Sequence, residues 1–277
     1  MRQQENRDFL MTRFEDIPNL HTHVQLCKHA SGNPADYCLE AQKYSDTIGF
    51  SDHCPFPDDR YHAERMSFSE LELYCRLIDD AKVKFPALHI LKGAEAEWCG
   101  DLGENFYTEV LKGEYKMDYL VGSAHYSGFN IGNQEHFYYY SPDSKVLKDF
   151  AAVTIKLIEC GIFDFIAHPD AFMIPYVNAT AEHESIFRDI ISAAIQYSVP
   201  LELNATGIRT QRAYPCRRFW EIAAESPALK TVINADAHSP RHLFDNNVQK
   251  AIEMADELKL NICNKEVAQK IIRGMKK

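Results

Sequence analysis

Thr231-Val232-Ile233-Asn234-Ala235-Asp236-Ala237-His238 is the stretch on which the fold turns. Its first five residues carry no charge, as expected of a strand buried on both faces of a parallel sheet. Where the run ends, a carboxylate and an imidazole appear two positions apart. Six other short apolar segments have a similar form, at residues 17–23, 47–51, 88–95, 119–124, 163–167 and 200–204. Longer amphipathic stretches lie between them, at 34–44, 69–84, 144–160 and 182–197, and a last one at 265–276 closes the chain. In 69–84, Leu71, Leu73, Cys75, Leu77, Ile78 and Ala81 fall roughly on one side. Ser69 is the expected N-cap, with Glu70 and Glu72 in the first turn. Strands alternating with helices predict parallel α/β layers, and seven such units predict a barrel or near-barrel. In a barrel, functional residues gather at the C-terminal ends of the strands.

Composition bounds what such a barrel can do. The chain has 277 residues, 45% of them apolar, enough for a sizeable core. It reads as a single domain, 1–277, with residues 1–16 as an N-terminal arm. No run of 18 apolar residues occurs, so no membrane partner is expected. The start of the chain is polar and lacks the apolar region of a secretory signal. Eight cysteines (27, 38, 54, 75, 99, 160, 216 and 263) form no CxxC pair, which fits reduced thiols in a cytoplasmic protein. A net charge of −10 argues against nucleic acid as a partner. A small phosphorylated substrate remains compatible, because bound cations can supply positive charge locally. Nothing in the pattern speaks to oligomeric state.

The histidines obey the strand-end rule. His21 and His23 end the first segment and His53 follows the second. Glu95 ends the third, and His125 and His168 follow the fourth and fifth. Asp236 and His238 follow the seventh. With His29 these are seven of the twelve histidines. Alternate strand residues face one side, so both imidazoles of His21-Thr22-His23 can meet one ion, with α-carbons roughly 6–7 Å apart. The donor set is nitrogen and oxygen, which suits zinc, iron or manganese. His62, His89, His136, His183 and His242 are left outside the site, His62 and His242 being near its mouth.

These motifs, in order, are His21-Thr22-His23 with His29, Ser51-Asp52-His53, Gly93-Ala94-Glu95, Gly122-Ser123-Ala124-His125, Ala167-His168-Pro169-Asp170 and Asp236-Ala237-His238. Together they resemble the PHP (polymerase and histidinol phosphatase) family over about residues 17–245. Ser51-Asp52-His53-Cys54-Pro55, Gly122-Ser123-Ala124-His125-Tyr126 and Glu202-Leu203-Asn204-Ala205-Thr206-Gly207-Ile208-Arg209, followed by Tyr214-Pro215, are most similar to the monofunctional histidinol-phosphate phosphatases. The resemblance implies a distorted (β/α)7 TIM-like barrel and three divalent or trivalent ions. His21, His23, Glu95 and Asp236 would hold the first. Glu95 would bridge to a second, held also by His125 and His168. His29, His53 and His238 would hold a third.

It also implies hydrolysis of L-histidinol phosphate to L-histidinol and phosphate in histidine biosynthesis. The alternatives are another small phosphoester, such as a nucleotide or phosphopeptide, and a metal-binding protein without turnover. A water bridging two cations loses a proton readily and could attack phosphorus in line. No cysteine or serine lies in a recognisable nucleophile motif. Arg209 resembles the family's phosphate-binding arginine, so Glu95, Asp236 and Arg209 are the expected catalytic residues. Glu202 and Asn204 share one strand face and should point into the barrel, to orient ligands or to contact the substrate amine. Glu97 and Asp170 are expected to support ligands, and Asp52 and Cys54 to be structural. The loop 55–67 is where substrate-side differences would lie.

Overall fold

The computed structural model describes residues 14–126 and 144–275. His136, most of the N-terminal arm and Lys276 fall outside them. Seven parallel strands form one curled sheet in chain order: β1 Thr47–Phe50, β2 His89–Ala96, β3 Tyr119–Gly122, β4 Phe165–Ile166, β5 Leu201–Asn204, β6 Lys230–Asn234 and β7 Asn261–Ile262. The main helices are α1 Pro34–Ala41, α2 Leu71–Lys84, α3 Ser144–Glu159, α4 Ala181–Tyr197, α5 Ala205–Arg209, α6 Arg217–Ala224, α7 Asn246–Leu258 and α8 Asn264–Met275. Local chemistry sets their starts. Asn33 caps α1 with Pro34 at the first helical position, and Thr180 caps α4. At α2 the expected cap, Ser69, is displaced. Glu70 instead folds back onto Ser67, accepting from its N at 2.7 Å and its Oγ at 2.8 Å, so a short 3-10 turn precedes the helix.

The count of seven holds with a different membership. The segment expected as the first strand joins no ladder, and the short β7 takes a place in its stead. Residues 17–23 lie between β1 and the continuation of β6, bridged at Asn19–Ile48 and Thr22–Ala237. Side-chain amides replace part of the ladder there. Asn19 Oδ1 accepts from Ala235 N at 2.7 Å, and Asn234 Oδ1 accepts from Leu20 N at 2.8 Å. β7 pairs with the beginning of β6, at Lys230–Asn261 and Thr231–Ile262. Thus β6 has two neighbours on one edge, β7 low and residues 17–23 high. Asn264 ties them together, giving Nδ2 to Pro18 O and Ile233 O and accepting from Ile233 N.

The barrel interior is filled from below. Leu20, Leu91, Tyr119, Val121, Phe165 and Val232 form one apolar cluster, closed by Val267, Ala268 and Ile271 of α8. Tyr119 fills most of this space, and its hydroxyl donates to Leu20 O at 2.7 Å. Gly49 and Gly93 leave room for its ring: a Cβ on Gly93 would lie 2.6 Å from Tyr119 Cε1. The polar residues are thereby confined to the other end.

Candidate metal centre

On β2, β3 and β6 the inward positions change from apolar to polar and ionisable in the upward direction. In β2 the inward series Leu91, Gly93, Glu95 is continued by Glu97, and from β3 Tyr119 and Val121 are followed by Ser123 and His125. The result is a cluster of imidazoles around two buried carboxylates, with His21, His23, His125 and His168 buried, His53 and His238 half-buried and His29 exposed. His21 Nε2 lies 3.1 Å from His23 Nε2 and 3.5 Å from Glu95 Oε2, and His23 Nε2 lies 3.1 Å from Asp236 Oδ1. Ligands on a tetrahedral zinc stand about 3.3 Å apart, given metal–nitrogen bonds of roughly 2.0–2.1 Å. Glu95 faces two ways. Its Oε2 is 2.9 Å from His53 Nδ1, while Oε1 is 3.1 Å from His168 Nε2 and 3.5 Å from His125 Nε2. That is the geometry of a bridging carboxylate.

The outer nitrogens are held in place. Glu202 Oε1 lies 2.8 Å from His21 Nδ1, Asp52 Oδ1 3.2 Å from His23 Nδ1, and Glu97 Oε1 2.9 Å from His125 Nδ1. His29 and His238 turn Nδ1 to the carbonyls of Cys27 and Asp236. A ring nitrogen engaged in this way leaves the other lone pair for the centre. Three buried atoms that face inward, His53 Nδ1, Glu95 Oε2 and Asp236 Oδ1, crowd against one another and His23 without making a well-aligned hydrogen bond among the described residues. Buried polar atoms are rarely left so, and cations would satisfy all three. The donor set therefore fits divalent metal ions.

Charge is distributed accordingly. Burial opposes a charge on His21, yet Glu202, Asp236 and Glu95 outweigh it and hold its pKa well above the ordinary value. His23 is raised against burial by Asp236 and Asp52, and His168 by Glu95. Burial and the charge on His23 push His53 well below the ordinary value, lower His29, and bring His238 down to about 3. Glu95 and Asp236 stay well below the usual carboxylate range despite burial, through the histidines around them. The pocket thus attracts positive charge at one side and keeps neutral imidazoles at the other. Two donors also sit in left-handed backbone, His168 at φ 28° and Asp236 at φ 45°. Such strain persists where neighbours over-determine it. Here His168 N donates to Glu202 Oε2, and Thr206 Oγ1 donates to Asp236 O.

The PHP domain family matches residues 19–206. The chain belongs to that family. It is 27% identical over 228 residues to "Probable histidinol-phosphatase" of Deinococcus radiodurans, covering 79% of this chain and 85% of that protein. A second "Probable histidinol-phosphatase", from Schizosaccharomyces pombe, is 25% identical over 258 residues, with 80% and 81% covered. The histidinol phosphate phosphatase of Lactococcus lactis, solved with zinc, L-histidinol and phosphate, superimposes with a TM-score of 0.66 at 16% identity. That match covers 89% of this chain and 95% of the other and is a likeness of fold.

Within this PHP barrel every expected donor reaches the cluster, but not always in the expected grouping. His53 turns Nδ1 to Glu95, and its other close set is His23 and His238. His29 and His238 gather instead with Cys27, whose sulfur lies within 4.8 Å of their ligand atoms. Cys27 was not among the sequence candidates. Burial raises its thiol pKa, which disfavours a thiolate. Glu97 braces His125, whereas Asp52, expected to be structural, orients His23. Asp170 supports no imaged imidazole contact of this kind: its Oδ2 accepts from Cys216 N and Trp220 Nε1.

All three substrate-side candidates have protein partners, and for Glu202 and Asn204 these fit the ligand-orienting role of the two expected. Glu202 and Asn204 are fully buried. Glu202 accepts from His168 N, Asn204 Nδ2 and Asn234 Nδ2 besides meeting His21, and so has no oxygen left for a substrate amine. Asn204 gives Nδ2 to Glu202 and Asp236 and takes Thr206 N on Oδ1. Arg209 lines the cavity above the cluster, but all its N–H groups go to protein. Nε and Nη2 grip Asp245, Nη2 also meets His242 O, and Nη1 meets Thr206 Oγ1 and Ala235 O. A phosphate clamp would have to break that fork. Sequence reasoning missed Arg65, a buried guanidinium from the loop 55–67 that also lines the cavity. A single arginine inside a polar loop gives no periodicity by which to find it.

Proposed function

We propose that this protein is a metal-dependent phosphomonoesterase that hydrolyses L-histidinol phosphate to L-histidinol and phosphate. The observation that carries the reading is the inward set of orphaned donors, His53 Nδ1, Glu95 Oε2 and Asp236 Oδ1, on the floor of a cavity of about 470 Å³. Support comes from membership of the PHP family and from relatives bearing the histidinol-phosphatase name. His21, His23, Glu95 and Asp236 would hold one ion, Glu95 with His125 and His168 a second, and His29, His53 and His238 a third. Zinc, iron and manganese all suit the set. Bound ions would acidify water and offset the charge of a phosphoryl group.

The protein's own groups supply position. Glu202, Asp52 and Glu97 fix the imidazoles. Among the described residues lining the cavity there is no serine or cysteine, so water is the assigned nucleophile. Arg212, exposed on the same wall as Arg209, is the guanidinium assigned to phosphate. Glu64 lines the same cavity and brings a carboxylate charge to the side of a cationic leaving group.

The test is phosphate release from a panel of phosphomonoesters with added zinc, manganese or iron and a chelator control. Preference for L-histidinol phosphate, abolished by chelation, is the expected result. Metal-dependent release from a different ester would keep the chemistry and discard the substrate. Tight metal binding without hydrolysis of any ester would sink the enzyme reading.

A further inference from the structure

We infer that Arg65 is a positioning residue that sets one imidazole of the metal centre from outside it, acting through Glu97. The inference rests on the metal reading proposed above. Arg65 is 2% exposed, deep for a residue on a loop. Its fork meets Glu97 end-on, Nη1 to Oε2 at 3.0 Å and Nη2 to Oε1 at 2.9 Å. Nη1 also donates to Cys54 O at 2.7 Å and Nη2 to the Tyr126 hydroxyl at 3.2 Å. The rings of Phe56 and Tyr126 flank the guanidinium at 4.8 and 5.4 Å. The cation is thus anchored on several sides before it reaches Glu97.

The consequence passes to His125. Glu97 Oε1 is 2.9 Å from His125 Nδ1, and an ionised carboxylate only accepts. His125 must then carry its proton on Nδ1, which leaves the Nε2 lone pair facing Glu95 Oε1 at 3.5 Å. Without a partner, a buried Glu97 would gain a proton or swing, and either change frees the ring. A planar fork fixes both carboxylate oxygens at once, which a lysine ammonium does not. The same loop contributes Ala63 and Glu64 to the cavity wall. Arg65 therefore fastens the substrate-side wall to the group of His125, His168 and Glu95, and it makes no hydrogen bond to His21, His23, His29 or His238.

That selectivity makes the inference testable. The metal-free full chain is titrated with zinc against a chromophoric chelator, for the wild type, Glu97→Gln, Arg65→Lys and the double variant Arg65→Met/Glu97→Gln. The last replaces the buried ion pair by a neutral pair and guards against simple unfolding. In Glu97→Gln one equivalent of zinc should weaken by roughly 10–100-fold while the others keep their affinity, as for other groups that orient a ligand. Arg65→Lys should weaken the same equivalent by less, and the double variant should match Glu97→Gln. Unchanged binding in all folded variants, or equal weakening of every equivalent, overturns the inference. A wild type that takes up no metal is a separate result, and it removes the metal reading itself.

Discussion

On β3 and its continuation, Tyr119 and His125 both turn inward, six residues apart, into different surroundings. Tyr119 lies with Leu91, Phe165 and Val232 and gives its hydroxyl to one backbone carbonyl. His125 lies among Glu95, Glu97, His53 and His168. The lower end buries apolar area, which stabilises in proportion to what is removed from water. The upper end buries charge and leaves donor atoms orphaned, which costs stability unless cations arrive. One barrel thus separates holding the fold from doing the chemistry. Damage at the two ends should be separable in the same way.

The largest effect is expected at Glu95, whose two oxygens serve both sides of the cluster. Glu95→Ala should abolish turnover and lower metal content measured by elemental analysis. The loss should exceed the roughly 10–100-fold expected of groups that only orient ligands. His21→Ala and Asp236→Ala should follow it. Full metal content in Glu95→Ala would erase the distinction between the ends. One step out, Glu202→Gln replaces one of the two carboxylate oxygens that serve His21 Nδ1 and His168 N with an amide nitrogen. Metal affinity should fall within that 10–100-fold range. A change in KM alone would restore Glu202 to the substrate side, against its burial.

The two ends were also unequally legible. The upper end could be read because alternate residues share a strand face, so His21-Thr22-His23 and Asp236-Ala237-His238 announce their geometry in the sequence. The strands that carry Glu95, His125 and His168 were recognisable as short, largely apolar runs. The first segment was misjudged as a ladder strand. Its apolar pattern does not reveal that Asn19 and Asn234 replace backbone partners with side-chain amides. β7 has two residues, too few for any pattern. Arg209 illustrates a different limit: its partner Asp245 lies 36 residues on and could not be foreseen. Partnerships across the barrel, such as Arg65 with Glu97, are products of the fold.

Acid should expose the upper end while sparing the lower. In chelated protein, His238 has a pKa brought down to about 3 by burial and by His23. An unfolded histidine takes its proton near pH 6.5. Between these values the unfolded chain binds a proton that the folded chain refuses, so stability falls as pH drops through that window. Glu95 and Asp236 act in the same direction at lower pH, since their folded values are depressed. His21 and His168 have the opposite sign: their contribution is complete below the unfolded value and is lost as pH rises through their raised folded values. Thermal midpoints from pH 7 to 4 in chelator should therefore decline, and His238→Asn should flatten the decline by about 1–3 kcal/mol at its acid end. An identical decline in the variant would mean that His238 is not the group resisting protonation.

The smallest functional effect is expected at the bottom, with a clear cost in stability. Gly93→Ala would place a Cβ 2.6–2.8 Å from three atoms of the Tyr119 ring. The ring is buried against Leu91 and Phe165 and is tethered by its hydroxyl to Leu20 O, so it has little room to yield. Overpacking of this kind costs about 1–3 kcal/mol. Gly93 is also two residues from Glu95 on the same strand face, which makes it the sharpest probe of the boundary between the ends. If the two are separable, urea unfolding of Gly93→Ala should shift by that amount while metal bound per folded molecule stays at the wild-type value. If metal binding falls in step with stability, the Tyr119 plug sets the height of Glu95, and the lower end belongs to the chemistry after all.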